Sequence, residues 1–303
     1  MSVFCSFSLY AKEAEPTNSV PTTFKPPIIS SNTSRGKRIA PIQKIICEAR
    51  LTEKGPPINS GISWHVFDTS PNKKEILSPI KKIIGGKISL ELFAGDYLVS
   101  ASFGHAGVVK KLTVRPTEKI QNHVFVLNAG GVRLHSIYEA NSLILDDELK
   151  FSIYSNPNQT PIIIADKVRA GIIVRLGANN YQITSNYGNY NAVVSTIVKV
   201  EPGKIIDVTI QNRSAKVTFK LVSEEGGEAI ADTAWLISTI SGDTIGESIK
   251  ASPSMILAEG DYVAVARNKD RIYHRDFSVI SGKNMSVEIL LRQKRMDKLG
   301  QNK

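Results

Sequence analysis

One phrase occurs three times along this chain and constrains its fold more than any bulk property. Leu92-Phe-Ala-Gly95-Asp-Tyr97 is followed by Leu176-Gly-Ala-Asn179-Asn-Tyr181 and then by Leu257-Ala-Glu-Gly260-Asp-Tyr262. A second anchor lies about thirty residues upstream each time: Trp64 in ISWHVFD, Phe151 in LKFSIYS and Trp235 in TAWLIST. A third recurrence follows each tyrosine, where KKLTVRPTEKIQNHVFVL, TIVKVEPGKIIDVTI and RDFSVISGKNMSVEILL read as strand, turn, strand. Three anchors in a constant order, three times over, describe a tandem array of one structural unit of roughly 80 residues.

Each anchor has a physical reading. The Gly or Asn two residues before the tyrosine supplies a position that tolerates positive φ, as a tight turn between strands demands. After it, YLVSASF, YQITSNY and YVAVARN place every second side chain on one face, the period of a half-buried strand. The Trp or Phe stands mid-strand, where a large ring fills the space between two sheets about 10 Å apart. Scarce Leu/Glu/Ala blocks and recurrent Val, Ile, Thr and Ser also favour strand. The expected fold class is all-β: three tandem immunoglobulin-like or transthyretin-like β-sandwich domains of about seven short strands each, after a disordered N-terminal segment.

The Leu-x-x-Gly-x-Tyr phrase with its alternating strand resembles the repeated signature of bacterial immunoglobulin-like and Cna-B or carboxypeptidase-regulatory-like sandwich modules. It is also similar to the tyrosine corner of such folds, in which the phenol bonds back to nearby backbone. As a whole, residues 44–291 resemble bacterial exported proteins built from these modules in tandem. The resemblance implies architecture and no catalytic residue. The middle copy departs from it, with Asn179-Asn180 in place of Gly-Asp.

The expected units are 44–128, 129–211 and 212–291, joined by the short junctions VLNAGGVRL and TIQNRSAKVTF, so neighbours should touch and form a semi-rigid rod. Residues 1–43 comprise an apolar stretch from Val3 to Ala11 and a Pro/Ser/Thr-rich linker. The stretch resembles the hydrophobic part of a secretory signal, with cleavage expected after Ala11. No Lys or Arg precedes Val3, so either the start lies upstream or the stretch is an apolar arm. Phe4 before Cys5 is too large for a lipid-attachment box. Residues 292–303 form a basic tail, expected to be disordered.

The net charge of +10 is concentrated at the ends. Residues 1–43 hold 5 basic and 2 acidic groups, and residues 292–303 hold 5 and 1. The three units carry 12 basic against 7 acidic, 7 against 7 and 9 against 11 groups. Basic ends without a groove-reading motif imply no specific nucleic-acid partner, only electrostatic attraction to anionic surfaces. No apolar run reaches the roughly 18 to 20 residues of a bilayer span, so no transmembrane span is expected.

No catalytic, cofactor-binding or metal-ligating residue is assigned. His65, His105, His123, His135 and His274 are scattered, with no i, i+4 pair. Asp146, Asp147 and Glu148 form an acidic cluster without the spaced oxygens of a calcium loop, and a solvated turn is expected there. Cys47 is expected to be a small apolar side chain in the strand KIICEARL. Gly130-Gly131 is expected to be a strand-linking turn. Tyr181, Tyr187 and Tyr190, among several asparagines, are of a type that suits a binding face, but alternation along the strands is expected to bury about half of them.

The expected function is that of a non-enzymatic exported protein, periplasmic or at the cell surface, serving as a spacer or interaction scaffold. Its expected partner is an envelope protein or a cell-wall polysaccharide. A carbohydrate- or peptidoglycan-associated binding module is the second reading. An enzyme whose residues converge from separate strands is the third.

Overall fold

The computed structural model describes residues 42–69, 78–116, 119–139, 142–155 and 160–291. The signal-like stretch, most of the N-terminal linker and the basic tail lie outside them. All regular structure among the described residues is strand. The first seven strands are β1 (Ile42–Arg50), β2 (Ile62–Asp68), β3 (Pro79–Gly85), β4 (Ile88–Phe93), β5 (Gly95–Phe103), β6 (Ala106–Val114) and β7 (Gln121–Val126). The next seven are β8 (Ala129–Ile137), β9 (Leu149–Ser155), β10 (Ile162–Val168), β11 (Ile173–Gly177), β12 (Asn179–Tyr187), β13 (Val193–Val200) and β14 (Ile205–Gln211). The last seven are β15 (Ser214–Val222), β16 (Thr233–Thr239), β17 (Thr244–Ser248), β18 (Ser254–Ala258), β19 (Gly260–Asn268), β20 (Arg271–Val279) and β21 (Met285–Leu290).

Each set of seven makes the same two sheets. A three-stranded sheet has the orders β4-β1-β7, β11-β8-β14 and β18-β15-β21, and a four-stranded sheet has the orders β3-β2-β5-β6, β10-β9-β12-β13 and β17-β16-β19-β20. The fold is therefore all-β, with three tandem sandwiches of one topology. An immunoglobulin constant domain puts its first, second, fifth and fourth strands in one sheet. Here the first strand sits between the fourth and seventh, which differs from the immunoglobulin constant order.

Alternation builds each core. In β4 the burial of ISLELF reads buried, exposed, buried throughout, and in β1 Ile45, Cys47 and Ala49 point inward. Trp64 meets Phe125 edge-on at 5.1 Å between ring centroids, and Phe219 lies 5.6 Å from Trp235. Phe151 is the corresponding fully buried ring of the middle core. These are the three upstream anchors, and each fills the space between its two sheets. Cys47 is fully buried, and desolvation pushes its thiol up to about 12, which keeps it protonated and inert.

The pairing direction determines how the units follow one another. The first and last strands of every unit are parallel: β1 with β7, β8 with β14, and β15 with β21. The chain thus enters each sandwich at one end and leaves at the other. Only Leu127 and Asn128 separate β7 from β8, and only Asn212 and Arg213 separate β14 from β15. A connection that short holds neighbouring units in contact.

Candidate functional site

The thrice-repeated phrase lies where the chain passes from one sheet to the other. β4 belongs to the three-stranded sheet and β5 to the four-stranded one, and the same holds for β11 to β12 and β18 to β19. This corrects the expectation of a tight turn needing positive φ. Only Gly260, at φ 155°, has a positive value among the three turn residues; Gly95 and Asn179 do not. The crossing is a bend at the single residue between the strands, Ala94, Ala178 or Glu259, and since positive φ is not needed at Asn179, Asn is accommodated in the middle copy.

What the phrase does encode is the corner. Tyr97 Oη donates to Phe93 O at 3.1 Å, Tyr181 Oη to Gly177 O at 3.0 Å and Tyr262 Oη to Ala258 O at 2.8 Å. Each bond spans four residues and ties the last residue of β4, β11 or β18 in one sheet to β5, β12 or β19 in the other. All three rings are buried, and burial pushes each phenol above its ordinary pKa.

The corners of the second and third units also form one side of the two inter-unit joints. At both joints the second linker residue accepts from the residue three before the corner tyrosine. Asn128 O takes the Ala178 N–H at 2.8 Å, and Arg213 O takes the Glu259 N–H at 2.9 Å. The turn between β5 and β6 completes the first joint: His105 N donates to Arg175 O at 3.0 Å, and the Arg175 guanidinium lies 5.1 Å over the Phe103 ring. Gly203 packs on Thr52 across the same joint.

The second joint is more polar. Asn191 Nδ2 donates to Tyr262 Oη at 2.8 Å, while Asn191 Oδ1 accepts the Ala258 N–H at 3.1 Å. One amide therefore grips both ends of the next unit's corner. Beside it Tyr190 lies against Gly246, so closely that a Cβ there would collide with the ring. Lys216 Nζ reaches Glu148 Oε1 at 3.0 Å, which raises the ammonium pKa. Arg213 pairs with Glu259, and Ser281 Oγ donates to Tyr138 O at 3.3 Å. Asn212 is buried in the linker and donates from Nδ2 to Ala192 O at 3.0 Å.

These contacts place Tyr181, Tyr187, Tyr190 and Asn191 of the middle unit within the fold and its joints, beyond the half that alternation was expected to bury. Tyr181 is the corner, Tyr190 packs on the third core, and Asn191 is the clamp. Tyr187 is buried and donates to Asp146 Oδ2 at 2.9 Å, while Tyr138 Oη lies 2.9 Å from its oxygen. The acidic cluster is the solvated turn expected, with Asp147 and Glu148 exposed, and the Tyr187–Asp146 bond and the Lys216–Glu148 pair give two of its carboxylates partners. Gly130 and Gly131 are not a turn; they lie inside β8. A Cβ on Gly130 would stand 2.2 Å from Glu201 O and 2.8 Å from Lys204 O, so glycine lets the turn between β13 and β14 close over the strand.

The histidines stay apart. His65 is on β2, His105 in the turn at the first joint, His123 on β7, His135 on β8 and His274 on β20. Desolvation lowers the pKa of His65, His105 and His123. Among the described residues no group of three His, Cys, Asp or Glu side chains could hold a metal. An open cleft of about 470 Å³ beside the first joint is lined by Asn179, Asn180, Lys199 and Glu201 among others. Glu201 there is already paired with Lys204 at 2.6 Å. The joint residues Asn191, Arg175 and Lys216 escaped the sequence reading because their partners lie in other units. The Asn-rich composition of the middle copy was the one available hint.

Fold and joints define a class: a tandem array of immunoglobulin-like or transthyretin-like β-sandwiches locked end to end by the corners of successive units. Residues 216–291, the third unit, match the model of the Rhizobiales growth-associated tandem repeat domain. Among solved structures the chain is similar to the Streptococcal ancillary pilin, at 10% identity over 83% of this chain and 99% of that one, with a TM-score of 0.29. It is similar to GBS52, the minor pilin of Streptococcus agalactiae, at 12% identity over 56% of this chain and 95% of that one, TM-score 0.30. The Bacillus anthracis TIE protein gives 14% identity over 82% of this chain, TM-score 0.25, and the match spans half of that protein's length. No curated protein matches the chain. Likenesses this distant add nothing to the sheet order, which by itself establishes the fold class. No helix among the described residues is long and apolar enough to cross a membrane.

Proposed function

We propose that this protein is a non-enzymatic, exported spacer of the bacterial envelope that holds an envelope protein or cell-wall polysaccharide at a set distance. The observation that carries the proposal is the parallel pairing of first and last strands in all three units, joined by two-residue connections whose contacts lock the joints. Such a chain gains length with every unit and resists bending. The family description of the third unit names growth, and a spacer used while the envelope is being extended is the role we carry over. For the carbohydrate-binding alternative, a row of aromatics on an exposed sheet face would be the favouring feature. Among the described Phe, Tyr and Trp residues Phe93 alone is exposed.

Small-angle scattering of the full chain, with fractionation of an expressing bacterium, tests the proposal. Three units with strands of up to nine residues, rising about 3.3 Å per residue, give a rod on the order of 100 Å. Its radius of gyration would be about 30 Å, against about 19 Å for a compact globule of this length. The compact value would overturn the spacer reading. Full-length protein confined to the cytoplasm would overturn export.

A further inference from the structure

We infer that the protein associates head to tail with further copies of itself, the outer end of the third unit docking on the outer end of the first as successive units dock within one chain. The inference extends the spacer reading without depending on it. Register makes the ends comparable. Gln43 pairs with Leu92, Gly130 with Leu176 and Ala215 with Leu257, so Ile42, Ala129 and Ser214 hold one position, and Lys44, Gly131 and Lys216 the next but one. Ala129 and Ser214 are fully buried at the two joints, whereas Ile42 is 62% exposed. Phe93, which pairs with Ile42, is 50% exposed. The first unit therefore presents apolar surface at positions that the joints cover.

The opposite end carries the matching half. Glu148 stands three residues before the core ring Phe151, and Asp232 stands three before Trp235. Glu148 is the partner of Lys216 across the second joint. In a docked pair, Asp232 of one copy would face Lys44 of the next; both are exposed. Likewise Phe103 and Asn268 each end the strand that enters a two-residue turn, and at the first joint that turn meets Arg175. The first unit has Glu91 at the Arg175 position, paired with Lys44 as Arg175 is with Gly131. The turn it would meet is Lys269-Asp270, followed by Arg271, a segment of net positive charge. Both contacts bring opposite charges together, in line with 12 basic against 7 acidic groups in the first unit and 9 against 11 in the third. Because the two faces differ, the interface is heterologous, and a docked pair keeps one unused face of each kind for further copies.

Sedimentation velocity of the full chain, from about 1 to several hundred micromolar at low salt, provides the test, with the variants Lys44→Glu, Asp232→Lys and the double exchange. The expected result is an average mass that rises with concentration past that of two copies and falls as salt is raised. Each single reversal should weaken association about fivefold, the scale of one exposed ion pair, and the double exchange should restore it. A constant one-chain mass would overturn the inference, as when the chain's own termini cover these faces. Association that stops at two copies would indicate symmetric pairing and overturn it too. So would a double exchange no better than the single reversals.

Discussion

Tyr262 and Tyr97 occupy one structural position but make different numbers of bonds. Tyr262 Oη donates to Ala258 O and accepts from Asn191, whereas the bond found for Tyr97 Oη is the one to Phe93 O. Each lost bond costs about 1 kcal/mol. We expect Tyr262→Phe to destabilise its unit by about 2 kcal/mol and Tyr97→Phe by about 1 kcal/mol, measured by hydrogen exchange resolved to each unit. Equal losses would show that the Asn191 clamp contributes nothing. The phenols also set an alkaline limit. Burial raises Tyr97, Tyr181 and Tyr262 in the folded protein, so the unfolded chain loses its phenolic protons first, near pH 10. Their contribution is complete below that pH and is lost as pH rises through the folded values. The thermal midpoint should hold from pH 8 to 9 and fall above pH 10, and replacing all three tyrosines by Phe should shallow that fall. At this scale the corner was readable in advance, because the tyrosine and its acceptor are four residues apart. The clamp was not, since Asn191 and Tyr262 are 71 residues apart.

The crossing between sheets and the glycines inside strands make the element scale testable. Gly95 has no positive φ, and a Cβ there would meet Tyr97 at an ordinary 3.8 Å, whereas Gly260 sits at φ 155°. Gly95→Ala should therefore change stability by less than about 0.5 kcal/mol, and Gly260→Ala should cost about 1–3 kcal/mol. Urea midpoints of the two variants decide it, and similar losses would return the phrase to a tight-turn reading. Gly130→Ala should cost about 2–3 kcal/mol through the clash with Glu201 O, with lost protection confined to β8, β13 and β14. Strand content followed from alternation and from the bulky mid-strand rings, which are local signals. The misplaced turn at Gly130-Gly131 shows their limit. A glycine pair looks the same whether it bends the chain or makes room for another segment.

For the whole molecule the joints decide whether three sandwiches behave as one rod. Asn191→Ala leaves the Ala258 N–H and the Tyr262 hydroxyl without their partner from the second unit. We expect it to raise the rate of limited proteolysis at the 212–213 connection several-fold and to broaden the distance distribution between labels on the second and third units. An unchanged distribution would show that the Lys216–Glu148 and Arg213–Glu259 pairs and the short linker suffice. Charge is also distributed at this scale. The basic first unit and the slightly acidic third unit are separated by a neutral one, which gives the array distinct ends.

The sequence by itself determined the unit, its number and its strand content, because these rest on alternation, ring placement and a corner bond within four residues, all local and all repeated. Only the tertiary structure decided that the repeated phrase crosses between sheets, that first and last strands run parallel, and that the polar residues of the middle unit grip the next one. Those facts depend on register between strands and on contacts between residues tens of positions apart, where side-chain identity alone does not specify the partner. MILAEGDYVAVARN accordingly has two roles: its own residues close a corner, and the neighbouring unit uses that corner as a joint.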